Sequence, residues 1–281
     1  MSTLLPVRQL LRTSPLIPNM AFAGYKLKWE KGRFVPSSKE PYTISRSKID
    51  RFLECPRCYW LEARYGIGRP DTPAFTLNNA VDELFKREFD AYRAKGKAHP
   101  LMEKYGIDAV PYAHARMEEW RDALKRGITY ADTENNLVVR GGIDDVWVNS
   151  AGELHIVDYK ATAGKKEVTL DDEWKIQYKR QVEIYQWLFR QNGFTVSPIA
   201  YFVYANGLND KEGFDGKLEF DITILPYEGD DSWVSGAVKD LKKCLLSDTI
   251  PASGVRCEYC PYREHAGKKL LTLHQAHTKK K

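Results

Sequence analysis

Apolar residues recur at three- and four-residue steps through the first third of the chain and at steps of two through its middle, so helices precede strands. From Ser45 the pattern turns helical. Ile49, Phe52 and Leu53 follow Ser47 and Asp50, a pair with the spacing of a capping box that has Asp in place of Glu. Pro56 ends that helix or opens the first turn of another reaching about Tyr65. Val81, Leu84, Phe85, Phe89 and Tyr92 form one apolar stripe and predict a helix over 77–94. Met117, Trp120 and Leu124 predict a third over 112–126. After Gly127 the period changes to two, and 128–133, 137–148 and 153–160 are expected as strands. Asn149-Ser150-Ala151-Gly152 is a turn that makes the last two antiparallel neighbours. A helix over 172–192 closed by Asn192-Gly193, strands over 196–205 and 216–224, and a helix over 231–247 complete the body. That order predicts one α/β domain with a central mixed β-sheet flanked by helices.

Composition fits a folded domain: 43% of the 281 residues are apolar and 29% charged. No apolar run reaches the length of a membrane span, so no membrane association is expected. The net charge of +5 is compatible with a polyanionic partner without requiring one. Residues 1–42 are expected as a flexible or draped arm. Its first 29 residues contain no Asp or Glu, as in organelle transit peptides, but Pro6, Pro15 and Pro18 break any long amphipathic helix. No secretory signal pattern is present, and a reducing, cytoplasmic setting is the expectation. Residues 265–281 are set aside as a basic tail ending in Lys279 to Lys281.

Chemistry concentrates in Gly141-Gly142-Ile143-Asp144 and Ile156-Val157-Asp158-Tyr159-Lys160. Asp158 and Lys160, two apart on a strand, project from one face, and hairpin pairing can bring Asp144 alongside. Hard cations such as Mg²⁺ and Mn²⁺ take carboxylate oxygens, and such an ion activates water and neutralises charge at phosphorus. A neighbouring ammonium orients the attacking water or stabilises developing charge. A surface salt bridge on a hairpin would explain the D-x-K pair alone. Gln181 and Tyr185, at i and i+4 of the next helix, can hold a water, a metal ligand or a phosphate beside the carboxylates.

Four of the five cysteines form two C-x-x-C pairs, Cys55/Cys58 and Cys257/Cys260, each next to a proline. In a reducing compartment such pairs are metal ligands before they are disulfides, and four thiolates make a tetrahedral zinc site or hold an iron–sulfur cluster. Cys244 lies in an apolar helical stretch and is expected in the core.

G-x-x-D from Gly141, hydrophobic-V-D-x-K from Ile156 and Q-x-x-x-Y from Gln181 together resemble the PD-(D/E)XK nuclease superfamily. The closest similarity is to its RecB-like branch, including the CRISPR-associated RecB-like exonucleases. The resemblance covers 43–264 and implies a restriction-endonuclease-like core, with an N-terminal helical part and a C-terminal cysteine segment joined by a metal site. It implies that Asp144, Asp158 and the Tyr159 carbonyl bind Mg²⁺ or Mn²⁺, that Lys160 is catalytic, and that Gln181 and Tyr185 line the DNA-facing side. RecB-like nucleases usually place a histidine ligand where this chain has Asp82. Asp82 is kept as a metal ligand, with a surface Asp as the alternative.

The resemblance favours a [4Fe–4S] cluster over Zn²⁺ at the cysteines, although the two-and-two arrangement departs from the one-and-three arrangement usual in that branch. The implied partner is DNA, single-stranded or with single-stranded ends, and a helicase or another nucleic-acid-processing protein is a further candidate. Lys175, Tyr178, Lys179 and Arg180 form a candidate strand-binding face, or an ordinary solvated one. The leading expectation is thus a metal-dependent DNA nuclease in repair, recombination or CRISPR-type processing. The alternatives are a non-catalytic DNA-binding or assembly subunit and a redox sensor centred on the cysteines.

Overall fold

Side-chain alternation along one long strand sets the layout. The computed structural model describes residues 32–70, 75–165 and 167–278, so most of the N-terminal arm and Lys279 to Lys281 lie outside the described residues. Strand β6 (Leu154–Ala163) sits at the centre of a five-stranded sheet, between β5 (Asp145–Val148) and β7 (Ile199–Gly207). Strands β2 (Val110–Pro111) and β8 (Phe220–Glu228) form its edges. Within this sheet only β6 and β7 run parallel, because the helix α6 (Ile176–Gln191) crosses over between them, and the other pairs of the sheet are antiparallel.

The two faces of the sheet bury different cores. Trp147, Val157, Tyr159, Val203 and Ala205 meet Phe85 and Phe89 of α3 (Thr76–Arg93), with Phe89 stacked 5.3 Å from Trp147. Val146, Ile156, Phe202 and Tyr204 face the larger core that contains Val182, Tyr185 and Phe189 of α6. Burying each large apolar side chain contributes about 1.5–3 kcal/mol, which fixes the register of β6: a one-residue slip would exchange Tyr159 for Asp158 against α3.

A second sheet, ordered β1 (Tyr42–Ser45), β4 (Leu137–Gly141), β3 (Ile128–Asp132), packs into the same larger core. So do α1 (Arg46–Glu54), α2 (Pro56–Tyr65) and α7 (Val234–Leu246). The expected α/β architecture with mixed sheets and flanking helices is therefore present, with the terminal cysteines gathered at one place.

Several expected elements differ. The single strand expected over 137–148 is two strands in two sheets. Between them Gly142-Ile143-Asp144 leaves the ladder, with the Ile143 amide donating to Trp120 O at 3.1 Å. The helix expected over 112–126 shortens to α5 (Met117–Arg121), because the Tyr112 amide pairs with Val146 O at 2.9 Å and continues the sheet edge. No capping box forms at α1. Ser45 is the N-cap, and Asp50 turns instead to Arg46 at 3.3 Å and Arg180 at 3.5 Å. A short helix, α4 (Pro100–Lys104), and the terminal α8 (Tyr259–Thr278) were not anticipated; the latter occupies most of the segment set aside as a tail.

Candidate active site and cysteine centre

Asp158 and Lys160 leave β6 on the α6 side, where the other core positions are apolar. Asp158 is fully buried, and its carboxylate contacts the Lys160 ammonium directly. Gln181 on α6 donates from Nε2 to Asp158 Oδ1 at 2.7 Å, which fixes the carboxylate plane. Oδ2 is the buried oxygen that meets the Lys160 ammonium. Burial pushes the Asp158 carboxyl up to about 7; Lys160 opposes the shift and Asp144 adds to it. Burial works against the Lys160 charge, but Asp158 and Asp144 outweigh it and raise its pKa, so the side chain stays an ammonium.

Asp144 arrives from the segment that links the two sheets. The β5–β6 ladder ends at the pair Asp145 and Val157. One step beyond, Asp144 Oδ2 accepts the Tyr159 amide at 2.9 Å, so a side chain takes over where the backbone pairing stops. Gly141 lets this happen beside α6. A Cβ there would lie 2.5 Å from the Tyr185 ring, which is itself buried. Asp145, the next residue, is a different group. It faces the α3 side, pairing with Arg93, with Arg121 at 3.2 Å and with the Tyr159 hydroxyl at 2.7 Å.

Asp82, on α3, belongs to the same constellation. Burial raises its carboxyl pKa and the Asp144 charge raises it further. Between the two stands Lys86, one turn on, with Nζ 2.6 Å from Asp82 and 3.7 Å from Asp144. Lys86 lies outside the sequence candidates, although an i,i+4 carboxylate–lysine pair on one helix face is visible in the sequence. Arg46 was missed as well. It lies next to Tyr185 and within the field of Asp158, and those groups raise its pKa although burial alone would lower it. Only packing of α1 against α6 brings it there, so no local pattern pointed to it. The assembled set is Asp82, Asp144, Asp158, Lys86, Lys160, Gln181, Tyr185 and Arg46.

The four candidate strand-binding positions separate. Tyr178 lies under the Lys160 ammonium, 4.7 Å from ring centroid to Nζ. Arg180 faces Asp50. Lys179 stands over the ring of Tyr227 at 5.6 Å. Lys175 is buried, its Nζ 2.9 Å from Asp172, and does not join a solvent-facing surface.

The second centre joins the ends of the domain. Cys55 is the N-cap of α2, followed by Pro56 at the first helical position, and its sulfur accepts the Cys58 amide at 3.4 Å. Gly254 donates to the same sulfur at 3.2 Å; a Cβ at Gly254 would lie 1.9 Å from the Glu54 carbonyl oxygen. All four sulfurs of Cys55, Cys58, Cys257 and Cys260 are buried and lie within 4.8 Å of one another. Arg263 donates to Cys58 at 3.0 Å and Arg69 to Cys257 at 3.7 Å, positive charge that favours thiolates. Burial resists ionisation of Cys257, but the Cys260 amide and the neighbouring thiols bring its pKa down to about 7. Four soft donors at this spacing can hold a metal. Cys244 lies outside this group.

Comparison with known proteins agrees with the motif set. The sequence model of the PD-(D/E)XK nuclease superfamily matches residues 43–265, well over half the chain. No curated protein sequence matches it. A crystal structure of SSO0001 aligns over 76% of this chain and 80% of that one, at 15% identity and a TM-score of 0.37, too slight a likeness to bear on the site. No helix among the described residues is long and apolar enough to cross a membrane.

Proposed function

The chain belongs to the PD-(D/E)XK nuclease superfamily, whose members are metal-dependent hydrolases, and from that premise we propose that it is a Mg²⁺- or Mn²⁺-dependent deoxyribonuclease of the RecB-like branch. The observation that carries this reading is the fully buried Asp158 carboxylate, held by Lys160 and Gln181, with Asp144 just before the neighbouring strand accepting the Tyr159 amide. Carboxylate oxygens are hard donors of the kind these ions prefer, and two carboxylates, Asp158 and Asp144, come together here. Asp144 and Asp158 would hold the ion. The Tyr159 carbonyl would assist, since a strand residue's C=O points to the same neighbour as its N–H, which here meets Asp144. Asp82 lies within reach of the same site.

A bound ion would lower the pKa of a coordinated water and neutralise charge at phosphorus. The protein's own part is electrostatic and positional. Lys160 remains cationic, suited to stabilising developing negative charge rather than to removing a proton. Gln181 orients Asp158, and Arg46 and Tyr185 offer hydrogen bonds to a phosphate beside it. Repair, recombination and CRISPR-type processing are the proposed settings. DNA is the partner, with a helicase or similar protein as a further one.

At the cysteines the sulfur spacing favours a single tetrahedral zinc ion over the [4Fe–4S] cluster that the family resemblance suggested. Metal–sulfur bonds of about 2.3 Å give a tetrahedron with edges of about 3.8 Å. Three of the six sulfur pairs stand at 3.5, 3.6 and 3.7 Å, and all four sulfurs lie within 4.8 Å of one another. A cluster interposes several iron and sulfide atoms and needs wider spacing. One zinc per purified chain and no visible absorbance is the expected result; a brown protein rich in iron reverses the assignment.

Incubation of end-labelled single-stranded and duplex DNA with Mg²⁺ or Mn²⁺ tests the enzyme reading. Asp158→Asn and Lys160→Ala should each slow cleavage by about 100-fold or more. Activity unchanged in both variants would remove the active-site assignment. No cleavage by the wild-type chain under any of these conditions would favour a DNA-binding subunit that keeps the fold, a reading to which the Lys86 ammonium between Asp82 and Asp144 lends weight.

A further inference from the structure

Beside the carboxylates a groove of about 640 Å³ runs between α1, the 3-10 turn Glu173–Lys175 and the loop before Cys257. Arg46 and Arg51 from α1, Arg180 from α6 and Arg256 line it, together with Trp174 and Ile176. Trp174 is 56% exposed and Ile176 47%, so neither serves the core. The arginines have acidic neighbours: Asp50 lies 3.3 Å from Arg46 and 3.5 Å from Arg180, Glu62 lies 2.5 Å from Arg51, Glu173 lies 2.8 Å from Arg256, and Glu54 also lines the groove. Each such pair engages only part of a guanidinium's five donors, and the Arg256 pair is largely open to solvent.

Side-chain contacts link the groove to the reactive groups. Trp174 meets the edge of Tyr178 at a centroid distance of 5.4 Å, and the Tyr178 ring lies under the Lys160 ammonium. Arg46, in the opposite wall, is shared with Tyr185. Trp174 is also held in place. The buried Lys175 ammonium lies 5.2 Å from its ring centroid and is itself fixed by Asp172 and by the Thr169 carbonyl. The position that the sequence suggested as a strand contact therefore backs the aromatic platform instead.

An exposed, braced indole between arginines matches one polyanion in particular. A base stacks on an aromatic ring only when its own face is uncovered, as in a single strand; in a duplex the faces are buried in the helix stack. We propose that this groove seats single-stranded DNA, with an unpaired base on Trp174 and flanking phosphates on Arg180 and Arg256, and that it leads the strand to Asp158. This rests on the nuclease reading for the chemistry at the end of the path, and not for the binding itself.

The test is equilibrium binding, read by fluorescence anisotropy with labelled oligothymidylate and a labelled duplex, in Ca²⁺ without Mg²⁺ or Mn²⁺. Trp174→Ala should weaken single-strand binding by about 5- to 100-fold, with duplex binding little changed and Trp174→Phe retaining most of the affinity. Arg256→Ala should weaken single-strand binding and reduce its salt slope by about 0.7, one phosphate contact. Wild-type affinity in Trp174→Ala, or equal losses for single strand and duplex, overturns the groove. Cleavage assays keep the two readings apart. A protein that cuts DNA but binds it unchanged in Trp174→Ala loses the groove and keeps the nuclease; one with the expected binding pattern and no cleavage keeps the groove and loses the nuclease.

Discussion

Asp158 was legible as a site residue because strand alternation places it beside Lys160, yet its protonation state was not, since that depends on how completely α6 covers it. Its folded pKa of about 7 stands above the ordinary value of 3.8. Between those two values the folded chain binds a proton that the unfolded chain does not. The group therefore makes the metal-free protein more stable as pH falls through that window, and less stable as pH rises toward and past about 7. A metal must displace the same proton, so Mn²⁺ affinity should fall below pH 7, by up to about tenfold per unit. Titration calorimetry on either side of neutrality checks this, and a flat affinity profile contradicts it. In the metal-free protein above pH 7, Asp158→Asn should raise the melting temperature by removing a buried charge.

At the scale of elements, α3 and β6 were readable because each has a long amphipathic period, and Gln181 with Tyr185 followed from helix geometry. The junction between β4 and β5 was not. Residues 137–148 alternate as one strand would, and what divides them is the transfer of the chain from one sheet to the other at Gly142 to Asp144. The four-residue β1 carries too little pattern to be seen without its partner β4. Along α3 the pair Asp82 and Lys86 has a consequence for the metal. An aspartate in place of a neutral ligand adds a negative charge, and Lys86, one turn on, compensates while standing where it repels a cation at Asp144. Lys86→Met should therefore tighten Mn²⁺ binding by about tenfold, after allowance for the partial exposure of the pair, and lower the melting temperature of the metal-free protein. Calorimetry with Mn²⁺ decides; unchanged affinity would place the ion away from Asp144.

At the scale of the molecule, the two C-x-x-C pairs gather at one place in the described residues, as their spacing suggested, although the helix beyond the second pair was not foreseen. Cys58 and Cys257, 199 residues apart in sequence, meet at 3.5 Å. A cross-link over so long a loop restricts the unfolded chain by an amount on the order of 5 kcal/mol in the loop-entropy account. The domain has a core of its own, so loss of a metal held by the cysteines should loosen it rather than abolish folding. What loosens first is set by position. Cys55 ends the segment from α1, which carries Arg46 and Arg51, and Arg256 immediately precedes Cys257, so three of the groove's arginines are held by elements the centre ties down. The carboxylates on β6 and their neighbours on β5 are anchored by the sheet instead. Chelation, or Cys257→Ser with Cys260→Ser, should lower the melting temperature by about 10 °C or more. It should also weaken single-strand binding more than it weakens Mn²⁺ binding at Asp158. Differential scanning calorimetry beside the two binding titrations separates these effects. A melting temperature that does not move on metal removal, or equal losses at both sites, would mean that the cysteine centre is not the clasp that shapes the groove.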